Sequence, residues 1–156
     1  MTTLATLTTH VPVTPPALWD RWADPDTHPE WSHDLAWVRL EEPLALGARG
    51  HLKPKGGPRS AFTVTELVAG RTFADTTHLP GARLTFRHHA EPAPGGALVT
   101  VTVTVEGVLA RVWSRILGAA ATRTGIATDL DELVALITPA SAARPATPTR
   151  TGTLRA

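Results

Sequence analysis

The 156-residue chain contains no cysteine. That removes disulfides, thiolate nucleophiles, redox pairs and cysteine-ligated metal or iron–sulfur centres from the chemistry open to it. No apolar run approaches the ~20 residues that a membrane-spanning helix needs. The N-terminal MTTLATLTTHVPV has neither the basic leader nor the continuous apolar stretch of a secretion signal, so a cytoplasmic protein is expected. Strong charge is missing too. The net charge is +1, and the last residues carry Arg144, Arg150 and Arg155 without an acid, which leaves the remainder at about −2. A nucleic-acid binder concentrates basic charge on its folded face, so no nucleic-acid partner is expected. The pairs Gly56-Gly57 and Gly95-Gly96 stand in no Gly-x-Gly-x-x-Gly or Walker pattern and read as hairpin turns; no cofactor is expected. Asp24, Asp26, His28, Glu30, His33 and Asp34 cluster in sequence. Their spacing matches neither HExxH nor a calcium loop, so they read as a solvated helix corner with no metal.

What is present is a long apolar periodicity after a series of alternating segments. In GVLARVWSRILGAAATRTGIATDLDELVALI, residues 107–137, apolar side chains recur at Val112, Ile116, Ala119, Ala120, Ile126, Ala127, Leu130, Leu133, Val134 and Ile137. This spacing predicts one long amphipathic helix. Strands are predicted at Leu4–Val13, Leu35–Leu40, Gly47–Leu52, SAFTVTEL, RTFADTTHL, ARLTFRHHA and ALVTVTVTVEG. The last puts Val99, Val101, Val103 and Val105 on one side and threonines on the solvated other. Between the first two strands, Thr14 is a good N-cap and Pro15 suits the first helical position. Leu18, Trp19 and Trp22 form one face of a short helix, and Pro25 and Pro29 divide it from a second short turn ending near Trp31. Tight connections favour antiparallel neighbours, and strands segregated from a helix give an α+β fold. TPASAARPATPTRTGTLRA, residues 138–156, has little to bury and reads as a flexible tail after a single domain over 1–137.

Three fragments carry a family resemblance: VPVTPPALWDRWADPDTHPEW, VRLEEPLALGARGHLKPKGGPRSAFTVTEL and TFRHHAEPAPGGALVTVTVTVEGVLARVW. With the final helix they span about residues 4–137, in an order and spacing similar to the START-like superfamily. That group includes Bet v 1-like proteins and the polyketide cyclase/dehydrase and lipid-transport proteins. The resemblance implies a helix-grip fold, a curved antiparallel sheet of about seven strands around the C-terminal helix, with a cavity between them for a small apolar or aromatic ligand. Its members include binders, carriers and aromatase/cyclases.

Several residues are candidates for that cavity. Arg123 falls within the helix stripe, and an inward arginine needs a partner or a polar ligand. Asp75 and Glu66 share strand parity with Phe73 and Phe62, so either is expected to meet it. Arg123 then reads as an anion anchor or as half of a structural ion pair. His88 shares a face with Phe86 and Leu84 and reads as a general acid/base or as a hydrogen-bonded core histidine. Trp31 and Trp37, with Trp19 and Trp22, read as a pocket mouth or as end-of-barrel core. Phe62, Phe73, Asp75 and Phe86 from the strands and Trp113, Ile116 and Ala127 from the helix complete the expected lining. Ser114, Gly118, Ala121, Gly125 and Thr128 make an outer face of small residues, which suggests a homodimer. Three functions stay open: a binder of small hydrophobic or aromatic molecules, a polyketide cyclase/aromatase or dehydrase using His88 and Arg123, and an interaction protein with a filled core.

Overall fold

In a computed structural model, which describes residues 1–138, seven strands form one antiparallel sheet in the order β1-β7-β6-β5-β4-β3-β2. They are β1 (Thr2–Val11), β2 (Leu35–Leu40), β3 (Arg49–Pro54), β4 (Ser60–Val68), β5 (Thr72–Leu79), β6 (Ala82–Ala93) and β7 (Gly96–Glu106). Strands β2 to β7 follow one another as a meander. Strand β1 instead pairs with β7, so the first two strands stand at opposite edges. The tail expected after Ile137 lies, beyond Thr138, outside the described residues.

The chain crosses between those edges through helix α1 (Pro15–Trp22) and a 3-10 turn, Pro25–Glu30. The Thr14 side chain accepts from the Ala17 N–H at 3.4 Å, with proline filling the first helical position. Leu18 and Trp22 go fully under the sheet, and Trp31 is buried beside them. These side chains close one end of the core.

Period-two burial explains the sheet. Val99, Val101, Val103 and Val105 are buried, while the threonines between them are half-exposed. The register shifts between Thr3 and Ala5, Leu35 and Trp37, and Val64 and Glu66. Such bulges bend and twist a sheet. Gly50 adds room for the bend, because a Cβ there would collide with the Phe62 ring of the next strand.

The single helix expected over 107–137 is two helices, α2 (Ala110–Leu117) and α3 (Ala119–Ile137). Gly118, at φ +72°, separates them. This left-handed backbone suits glycine and stops a helix. Only after the break does the expected stripe hold: Ile126, Leu130 and Leu133 are buried, whereas Val112 and Ile116 on α2 are exposed. None of the helices in the described residues is long and apolar enough to cross a membrane.

Candidate ligand cavity

A cavity of about 680 Å³ lies between the concave face of the sheet and α3. It exists because the inward residues of α3 are small where they face the sheet's middle. Ala121, Thr122 and Gly125 line it, and a Cβ on Gly125 would meet nothing within 4 Å. Further along, Ile126, Leu130 and Leu133 approach the sheet. From the strands come Phe62, Asp75, Thr77, Leu84, Phe86, Val101 and Val103. Trp22, His28, Trp31 and His88 line the end under α1, and Pro80 and Trp113 stand at the α2 side.

The end under α1 is an aromatic cluster. The His88 ring lies 5.3 Å from that of Trp22 and 6.0 Å from that of Trp31, and His28 lies 5.0 Å from Trp31. His28 interacts through Nε2 with the Trp22 carbonyl at 3.0 Å. Burial pushes the His28 pKa down to about 4. Burial, reinforced by nearby His28, pushes that of His88 down to about 3. Both rings are therefore neutral near pH 7. Three buried polar atoms here have no hydrogen-bond partner among the described residues: Trp22 Nε1, Trp31 Nε1 and His88 Nδ1.

Asp75 stands on the inward parity of β5, opposite Phe86 on β6 and Val64 on β4. Burial without a neighbouring cation pushes its pKa up to about 7. No side chain or backbone group among the described residues hydrogen-bonds its carboxyl. Asp129 of α3 is the contrasting acid. It accepts from Ser32 Oγ at 3.0 Å and from the His33 N–H at 3.3 Å, which ties α3 to the corner after the 3-10 turn.

The structure brings Trp31, Phe62, Asp75, Phe86, His88 and Trp113 to the cavity, and Trp113 donates from Nε1 to the Pro80 carbonyl at 2.8 Å. It does not bring the other expected residues there. Arg123 is exposed, because the Gly118 break uncouples α3 from the α2 residues that set the expected phase. The cavity-facing side of α3 centres on Gly125, Ile126, Asp129 and Leu133, roughly a quarter-turn or more from Arg123. Ile116 is exposed for the same reason, and Ala127 lies outside the lining. Trp37 alternates with inward Val38, so it faces outward, and the Arg39 guanidinium sits 4.8 Å above its ring. Phe73 is fully buried behind the wall, packed edge-on to His28 at 5.6 Å, and does not line the space. Glu66 is on the outer face, paired with Arg87 at 2.7 Å, because the bulge after Val64 inverts the parity that Phe62 sets. The expected Arg123–Asp75 pair is absent from the described residues, and Arg123 does not reach the cavity beside His88.

Sequence reasoning misses His28 and Asp129, whereas Trp22, read as pocket mouth or end-of-barrel core, does line the cavity. The spacing around His28 suggests a solvated corner, yet the residue is buried, because the corner folds under the sheet. Ala121 and Gly125, expected on an outer face, line the cavity, and Gly118 is the helix break. The reason offered for a homodimer at those glycines is therefore gone.

A curved antiparallel sheet gripping a C-terminal helix, with two short helical segments after the first strand, defines the helix-grip fold of the START-like and Bet v 1-like proteins. The chain belongs to the polyketide cyclase / dehydrase and lipid transport family, whose pattern matches residues 2–138. Among solved structures it is similar to a protein from Chromobacterium violaceum at 19% identity and TM-score 0.63, covering 86% of this chain and 96% of that one. It is also similar to Ara h 8.0201, at 15% identity and TM-score 0.62, covering 85% and 95%. A protein from Thermus thermophilus is similar at 11% identity and TM-score 0.66, covering 90% and 99%. These identities speak for the fold alone. No curated protein sequence matches the chain.

Proposed function

We propose that the protein binds a small, mainly apolar or aromatic molecule between its sheet and α3. The observation that carries this reading is the cavity itself. Its volume of about 680 Å³ falls within the range of pockets that take drug-sized ligands, and its walls are mostly aliphatic and aromatic with few polar groups. A core meant only for stability fills such space, because each void costs dispersion and transfer free energy. Family membership supports the same reading. The cyclase form that used His88 with Arg123 loses its support, since Arg123 does not reach the cavity.

Native mass spectrometry of protein purified without denaturation tests the proposal by giving the mass of any retained ligand. A melting-temperature screen against a hydrophobic library accompanies it, since a ligand that binds only the folded state raises the midpoint. Gly125→Phe supplies the control. The ring enters the cavity from a helix position where a Cβ has open space, so the fold is retained and the thermal shift by ligands is lost. No retained mass and no shift across the library would overturn the reading.

A further inference from the structure

The cavity's polar groups are few, and near its aromatic end the Asp75 carboxyl has no hydrogen-bond partner among the described residues. Asp75 lies on β5 two residue pairs along from His88 of β6, since Asp75 faces Phe86 and Phe73 faces His88. The two are therefore diagonal neighbours on the same inner face. Against His88 lie Trp22 and Trp31, whose indole N–H groups meet no acceptor among the described residues. Among those residues Asp75 itself has no partner, and no cation stands near it. Arg123 is exposed, Arg87 is engaged by Glu66 on the outer face, and Lys55, though on the lining, is exposed. A carboxylate in an apolar wall without a cation is the costlier form of that side chain, so the cavity favours the neutral acid. The acid is a hydrogen-bond donor.

We infer that this end of the cavity holds the oxygen of a neutral carbonyl group, with the Asp75 carboxyl donating the hydrogen bond, so that the ligand is an apolar or aromatic ketone or enone. The inference rests on the binding function proposed above and specifies its ligand class. A hydrocarbon would leave the acid unanswered. A protonated amine would have to carry its charge into an apolar wall and hold Asp75 in the ionised form that burial disfavours. An anionic ligand would find no buried cation on the lining among the described residues, Lys55 being exposed. The other titratable groups on the cavity do not disturb the assignment. His28 and His88 are held neutral by burial, Asp129 is occupied by Ser32 and His33, and Asp34 and Lys55 are exposed. With Asp75 pushed up to about pKa 7, the donor is present in slightly acidic solution and lost as pH rises.

The test is titration of the full chain, followed by tryptophan fluorescence, with four matched probes: fluorenone, fluorene, aminofluorene and fluorene carboxylate. Fluorenone should bind roughly 3- to 10-fold more tightly than fluorene near pH 6, the worth of about one hydrogen bond. That advantage should shrink above about pH 7 and vanish by about pH 9. Asp75→Leu should bind fluorene at least as well as the parent while losing the ketone preference. Asp75→Asn, which keeps an N–H donor, should retain the preference without its pH dependence. Equal binding of fluorenone and fluorene, a preference that survives in Asp75→Leu, or tightest binding of aminofluorene or of fluorene carboxylate would overturn the carbonyl assignment and leave the cavity function standing. No binding of any of the four probes would count against both.

Discussion

The two faces of the sheet treat polar side chains in opposite ways. On the outer face they are matched. Thr76 bridges Thr65 at 3.1 Å and Thr85 at 2.8 Å, Thr8 meets Thr100 at 3.2 Å, and Arg87 forks onto Glu66. Arg83 reaches Glu106 at 3.1 Å. On the inner face Asp75 and the Nδ1 of His88 have no partner among the described residues, nor do the indoles packed against His88. Outer-face polarity holds strands side by side and keeps the surface wet. Inner-face polarity lowers stability, and a group that lowers stability without a structural partner points to what else it meets.

The contrast can be broken most severely at Phe73, the fully buried ring behind the inner wall. Phe73→Ala should cost about 3–5 kcal/mol in urea denaturation, and a loss below about 1 kcal/mol would mean that the wall is not packed as described. Next is Asp75→Leu, which should stabilise the protein. The Asp75 pKa rises from 3.8 unfolded to about 7 folded. Between those values the folded state holds a proton that the unfolded state has released. The parent therefore loses stability as pH rises through this window, by up to about 1.4 kcal/mol per pH unit. The gain from Asp75→Leu should accordingly grow from about pH 4 to pH 7 and then level off. A gain independent of pH would show that Asp75 is ionised throughout. His28 and His88 have the opposite sign. Lowered from 6.5 to about 4 and about 3, they add stability above pH 6.5 that is lost as pH falls toward those values, so denaturation midpoints should drop in acid. Replacing His88 with Phe should flatten part of that acid limb.

Outer-face changes should matter less. Arg87→Ala removes a half-exposed pair and should cost about 1 kcal/mol or less. A cost as large as that at Phe73 would erase the distinction between the faces. Smallest of all should be Arg123→Ala, within about 0.5 kcal/mol of the parent. An effect of several kcal/mol would restore the buried ion pair that the helix phase excludes.

Strands are legible in the sequence because a two-residue period survives most distortions. Leu35–Leu40 has the same bounds in sequence and structure, and the Val99 to Val105 alternation faces inward as read. The failures have local physical causes. One extra residue in β4 puts Glu66 on the opposite face from the expected one, and alternation alone carries no trace of a bulge. The helix phase fails at Gly118, where the sequence does hold a signal: a glycine after Leu117 at a helix C-terminus. Beyond it, the cavity-facing Thr122, Gly125 and Asp129 are not apolar, so a search for an apolar stripe passes over the face that encloses the space. Burial of His28 depends on where the corner folds, which short-range pattern does not encode.

Gly118 has one further consequence. The helices on either side are moored at different places, α2 by Trp113 to Pro80 and α3 by Asp129 to Ser32 and His33. Between the two moorings lies a residue whose backbone can swivel at little steric cost. The cover of the cavity is thus two separately fastened pieces, and the angle at which Gly118 joins them sets the room beneath.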